Sequence, residues 1–155
     1  FLNTQTHPFN DVRVRRALNY AIDRELLIEE VSRIVGGVGR ISCQILPPTF
    51  PGYEPYCPYT RHPDGAWTAP DFAKAQRLVD ASGTAGASVT VWAGPDVLGG
   101  WTVPPAKYFV RVLEQLGYDA DLKIVSAGRY FTAINDPSKQ VQVGPLTWAP
   151  DYFAE

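Results

Sequence analysis

The chain has 155 residues, 45% of them hydrophobic, which is enough to bury a core and fold without a structural metal. Charged residues make up 19% and the formal net charge is −2, which excludes a disordered chain and leaves no basic stripe to neutralise nucleic-acid phosphates. No apolar run reaches the roughly 18 residues that a membrane-spanning helix needs. The 14 prolines and 13 glycines gather between residues 36 and 70 and around 94–105. Regular elements are therefore expected to alternate with long shaped loops.

The first expected element is a helix capped by Asn10 or Asp11, with Val14, Ala17, Leu18, Ala21 and Ile22 on one face. Asp23 caps a second helix from Arg24 to about Arg33, with Leu27, Ile28 and Val31 turned inward. Arg13, Arg15 and Arg16 read as a solvated face rather than a phosphate grip, because the chain is net acidic. Gly36, Gly37 and Gly39 lack the third glycine of a dinucleotide fingerprint and the Gly-Lys-Ser/Thr ending of a phosphate loop, so they mark a helix stop and a turn.

Cys43 and Cys57 fall in the loop-rich segment 36–69. They are either two reduced thiols or a disulfide stapling that loop, which for a loop of about 15 residues stabilises by about 3 kcal/mol. The staple is the preferred reading, since the segment has little apolar periodicity to hold it, and it places the protein outside the cytoplasm. Zinc is disfavoured, because His62 is the one nearby imidazole and the spacing is poor; His7, beside Pro8, decorates a turn.

From residue 68 the pattern becomes a repeating α/β order. Thr68 is expected to cap a helix entered through Pro70, with Phe72, Ala75, Leu78 and Val79 inward and Gly83 as its stop. Ser88–Ala93 alternates as a strand, Pro104 and Pro105 open a helix that Gly117 ends, and Asp121–Val125 reads as the next strand. A short helix from Arg129 to Asn135 leads to a last strand over 141–147. Strands spaced by such helices form parallel crossover units, with the loops after 93, 125 and 147 on one sheet edge. That edge carries Trp92, Asp96, Trp101, Ser126, Arg129 and the Trp148–Tyr152 segment. A strand delivering Trp148, Asp151 and Tyr152 to its carboxyl end is how open α/β sheets build ligand sites. Trp101 either caps such a site or anchors its own loop.

No nucleophile–base pair, nucleophile elbow or metal set is recognisable, and no cofactor is called for. Asp151 has the chemistry of a general acid or base but no visible partner. The chain starts at Phe1 and stops close after its candidate site, so it reads as an excerpt of a longer protein.

The opening Phe1-Leu2-Asn3-Thr4 and the block from Pro8 through Asn10-Asp11-Val12-Arg13-Val14-Arg15-Arg16-Ala17-Leu18 to Ala21-Ile22-Asp23-Arg24 resemble a known family. So do Leu46-Pro47-Pro48, Pro51-Gly52-Tyr53, the Asp71–Gly83 helix with Ala73-Lys74-Ala75, Leu116-Gly117-Tyr118 and Trp148-Ala149-Pro150-Asp151-Tyr152. Nearly the whole chain resembles the extracytoplasmic solute-binding proteins of the oligopeptide/dipeptide/nickel class, family 5, which serve ABC importers.

The resemblance implies a class II, periplasmic-binding-protein-like α/β lobe with a short, mostly parallel sheet and flanking helices. Residues 1–155 would be one lobe, part of the C-terminal lobe of a longer two-lobe protein. The expected partners are a small solute, first of all a peptide, an ABC permease in the membrane, and the N-terminal lobe of the same parent chain; nucleic acid is not among them. Asp151 matches the carboxylate that pairs with a peptide's α-ammonium group, with Trp148 lining the pocket and Tyr152 beside them. At about 4 Å and an effective dielectric of about 20, that pair gains about 4 kcal/mol before desolvation of both ions. An extracytoplasmic lipoprotein without catalysis is implied. A nickel-chelate, sugar or other solute receptor is the alternative within the class; an extracellular α/β enzyme fragment completed beyond residue 155, or a structural or signalling module that has lost its ligand, is the alternative outside it. Two departures stand out: Phe153-Ala154-Glu155 follows the motif, and Pro145 interrupts the last strand, with no basic residue just before Trp148 to take a peptide's carboxylate.

Overall fold

The structure is a computed structural model that describes residues 1–37, 39–46, 50–96 and 100–146. Helix α1 (Val12–Ala21) starts at Asp11, whose carboxylate accepts from the Arg13 amide at 2.7 Å, and it buries Val14, Ala17, Leu18, Tyr20 and Ala21. The apolar spacing anticipated this face, apart from Tyr20. Asp23 then caps α2 (Arg24–Val35) by accepting from the Glu25 and Leu26 amides. Arg13 grips Asp11 and donates to the Ala81 carbonyl at 2.7 Å, so it serves as a strut between helices. Its guanidinium also holds the Asp11 carboxyl below the usual carboxylate range.

Helix α3 (Phe72–Ser82) packs along α1, with the Asp71 amide donating to Tyr20 O at 2.8 Å and Lys74 Nζ 4.3 Å from the Tyr20 ring centroid. Its cap differs from the expected Thr68. Asp71 accepts from the Lys74 amide at 2.9 Å. Ala69 precedes Pro70 and is steered away from helical geometry, so the helix cannot begin until the proline is passed. The Thr68 hydroxyl instead meets that of Thr60 at 2.9 Å, and Thr60 Oγ1 accepts from the Thr68 and Ala69 amides.

Strands β1 (Ser88–Ala93) and β2 (Asp119–Ile124) pair in parallel, in register from Ser88↔Asp119 to Ala93↔Ile124, and are joined by α4 (Val103–Gln115). Val89, Val91 and Ala93 are fully buried on the face that α4 covers, together with Leu113 and Leu116. β2 begins two residues before the expected Asp121. Its first residues follow the open-face alternation Asp119, Asp121, Lys123, which hides an edge strand among charges, while the Asp119 amide already donates to Ala87 O. Helix α5 (Ala127–Ile134) likewise starts before the expected Arg129, directly after Ser126. A 3-10 turn follows at Pro137–Lys139.

The last strand was expected over 141–147, whose end lies outside the described residues. Among the described residues of that span Val143 alone bridges, in parallel to Val91 and antiparallel to Leu2. Pro145 has no amide to extend the ladder. On the other side of Val143, the Gln142 side chain takes over pairing, accepting from the Thr90 amide at 2.7 Å and donating to Ser88 O. Residues 1–3 form a short arm alongside, with Asn3 N donating to Gln142 O at 2.8 Å. The sequence did not announce that arm.

In the loop-rich segment, Cys43 and Cys57 form a disulfide with Cα atoms 4.9 Å apart, and Cys57 is buried. Arg24 reaches from α2 to the Ser42 carbonyl at 2.6 Å, beside the bridge. Among the described residues no helix is long and apolar enough to cross a membrane.

Candidate functional site at the carboxyl edge of the sheet

The β1 chain leaves the sheet at Ala93 and turns under Thr102, whose buried hydroxyl donates to Gly94 O at 2.7 Å and accepts from Gly94 N at 3.3 Å. One residue therefore clamps both ends of the 94–102 loop. Gly100 is required in it: its φ is +88°, and a Cβ there would sit 2.8 Å from Pro95 O. Asp96, expected on this edge, accepts from the Ala127 amide at 3.1 Å and so joins the loop after β1 to the start of α5. Ser126 precedes that helix without capping it through its side chain, and Arg129 is exposed on its first turn.

The third segment of the edge is held by Tyr130. Its ring is fully buried and its hydroxyl donates to Pro145 O; burial pushes the phenol up to about 12. Gly144 fits between them. A Cβ there would lie 2.5 Å from Tyr130 Oη and 2.9 Å from Trp92 O, so no larger residue passes this crossing unmoved.

Two hollows open beside these loops. The first, of about 380 Å³, is walled by Ile22 and Leu27 from the α1–α2 corner, by Trp101 and Phe109 from the start of α4, and by Val143 and Leu146 from the third segment. Among the described residues its one polar lining side chain is Asn19, with its amide nitrogen on Arg15 O at 2.9 Å and its oxygen 3.5 Å from Arg24. The second, of about 390 Å³, lies against α5 and is cationic, with Lys123, Arg129 and Lys139 around Trp92. Lys123 Nζ stands 4.1 Å from the Trp92 ring centroid, so part of that charge is taken up by the indole face.

The structure thus brings together Trp101 with the last segment, Asp96 with the start of α5, and Trp92 with Arg129. Trp148, Asp151 and Tyr152 lie outside the described residues. Sequence reasoning passed over Thr102, Tyr130 and Gly144, which shape the edge through hydroxyl bonds and a missing Cβ; only the Gly-Gly-Trp-Thr run before Pro104 hints at a clamped turn. Among the described residues no three His, Cys, Asp or Glu side chains gather to hold a metal ion.

The family model described as bacterial extracellular solute-binding proteins, family 5 Middle, matches residues 1–154. The chain belongs to this family. Within family 5 and its neighbours, the Dipeptide-binding protein of Escherichia coli is 34% identical over 95 residues, covering 60% of this chain and 16% of that protein. Heme-binding protein A of Haemophilus influenzae is 44% identical over 52 residues, covering 34% of this chain and 9% of that protein. An ABC transporter-associated periplasmic binding protein from Helicobacter pylori, solved in complex with the peptide STSA, superposes with a TM-score of 0.61 at 25% identity. That match covers 83% of this chain and 22% of the solved one. The matched part of the chain therefore covers less than a quarter of the length of each of these three proteins. The α/β architecture with its small parallel sheet is the one expected from the resemblance.

Proposed function

We propose that these residues form a partial C-terminal lobe of an extracytoplasmic solute-binding protein that delivers peptides to an ABC importer. The observation carrying this reading is the family match over residues 1–154 combined with an apolar hollow on the carboxyl edge of the sheet, where open α/β folds hold ligands. In this reading the second wall of the cleft is the N-terminal lobe of the same parent chain, and the membrane partner is an ABC permease. The lobe binds and performs no catalysis. Asp151 takes the ammonium group of the solute, with Trp148 lining the pocket and Tyr152 as a further ligand-binding residue. A disulfide between Cys43 and Cys57 fits an oxidising compartment, and a lipid anchor would hold the parent at the cell surface.

Native mass spectrometry on the parent protein as purified tests this. A ladder of short peptides released on unfolding is the expected result. A bound haem, metal chelate or sugar would retain the receptor and replace peptide as its cargo, the haem outcome being the one that the Haemophilus relative favours. Turnover of a peptide into products would overturn the receptor reading.

A further inference from the structure

We infer that the second hollow, on the α5 side of the sheet, is an anion site for a phosphate group, separate from the apolar hollow. It adds a site to the receptor reading and holds whichever solute the parent carries. Strand register keeps the two hollows apart. Trp92 and Lys123 are paired neighbours in β1 and β2, so their side chains share one face, while Val91 and Ala93 are buried on the other, which α4 covers. Val91 lines the first hollow and Trp92 the second, which puts them on opposite faces of β1.

The charge of the second hollow is gathered from three elements. Lys123 stands near the end of β2, Arg129 in the first turn of α5 and Lys139 at the end of the 3-10 turn, and all three line one space of about 390 Å³. Among the described residues no carboxylate lines it. Two neighbouring acids are engaged with backbone: Asp96 accepts from the Ala127 amide at 3.1 Å and Asp136 from the Ser138 amide at 2.9 Å. Asp121 shares the open face of β2 with Lys123 but lies two residues back, about 7 Å along the strand. Cations brought together by separate elements repel one another, and a multivalent anion between them replaces that repulsion with attraction.

The arrangement favours phosphate over carboxylate. The oxygens of a phosphate spread around one centre, so each can accept from a different wall, and the guanidinium fork of Arg129 matches that geometry. Lys123 Nζ, 4.1 Å from the Trp92 ring centroid, is anchored over the indole. The rest of the wall, Val125, Gly128 and Ala133, leaves room for a small organic body on the phosphate.

The test uses the intact parent protein, titrated by calorimetry at low salt with glycerol phosphate, and with succinate as a dicarboxylate of similar charge. Glycerol phosphate should bind once per chain and should weaken about 5-fold for each of Lys123→Gln, Arg129→Gln and Lys139→Gln, the effect of one basic side chain beside a phosphate. All three side chains are exposed, so the variants should melt with the native protein and the loss should read binding alone. Succinate should bind more weakly. Sedimentation with phosphatidylglycerol vesicles, lost in the same variants, would support the site and name a lipid headgroup as the source of the phosphate. Glycerol phosphate binding without sedimentation would support it with a free phosphate ester as the ligand. Absence of both, or binding that survives all three substitutions, would overturn the site, and succinate binding as tightly would overturn its preference for phosphate.

Discussion

At the scale of single residues, the edge of the sheet depends on groups whose work is done by one atom. Tyr130 is the clearest. Its phenol is buried, donates to Pro145 O, and is pushed up to about 12 from an ordinary value near 10. Because the folded value lies above the unfolded one, its contribution is fully present below pH 10 and is lost as pH rises toward 12. Two units correspond to about 2–3 kcal/mol. Burial raises Tyr108 and Tyr118 as well, so the intact protein alone would not isolate this effect. Comparison with Tyr130→Phe does, since the other two phenols are common to both. At neutral pH the variant should be less stable by about 1 kcal/mol, for the hydrogen bond lost at Pro145 O. Between pH 10 and 12 the gap should close and then reverse, because the loss at the phenol exceeds the hydrogen bond's contribution. Thermal melts at half-unit pH steps read this, and two curves falling in parallel would sink the assignment.

At the scale of elements, the helices of the first third and their apolar faces were open to sequence reading, because periodicity and Asp caps are local signals. Asp11 and Asp23 act as expected. Where the reading slipped, a neighbour in space had claimed the group: the Thr68 hydroxyl belongs to Thr60, and the ladder around Val143 is taken over by the Gln142 side chain. Pro70 and Pro145 were visible along the chain as local obstacles, whereas the claims of Thr60 and the Gln142 side chain were not. The α3 cap makes the point testable. Asp71→Ala should destabilise by about 1 kcal/mol and speed exchange of the Lys74 amide, the donor to that carboxylate. Thr68→Ala should leave the Lys74 amide protected and loosen the 60–69 loop instead. Hydrogen exchange resolved at Lys74 distinguishes them, and the reverse pattern would restore Thr68 as the cap. The disulfide was favoured from composition alone, since two cysteines in a loop with no apolar period have little else to do. That inference was thermodynamic, and the 4.9 Å Cα separation agrees with it.

At the scale of the whole molecule, the order β1–α4–β2–α5 and the parallel pairing followed from spacing, so the shared edge of the loops after β1 and β2 was legible in the sequence. Its shape was not. The hollow exists because the α1–α2 corner, the start of α4 and Leu146 converge from well-separated stretches of sequence, and no window of residues announces such a convergence. The role proposed for Asp151 belongs to this scale, because a carboxylate gains from an ammonium only when both are closed away from water between two lobes. Removing one partner of such a pair costs about 2–5 kcal/mol, mostly because the other is left charged and unpaired. In the parent protein, Asp151→Asn should therefore weaken a peptide with a free amino terminus by about 30-fold or more. An N-acetylated copy of that peptide should bind weakly to the native protein and equally weakly to the variant, since it brings no charge to lose. The two peptides and two proteins form a cycle whose coupling measures the pair itself. A coupling near zero, with the free and acetylated peptides equally sensitive to Asp151→Asn, would move the amine elsewhere in the cleft and leave Asp151 without a part in binding it.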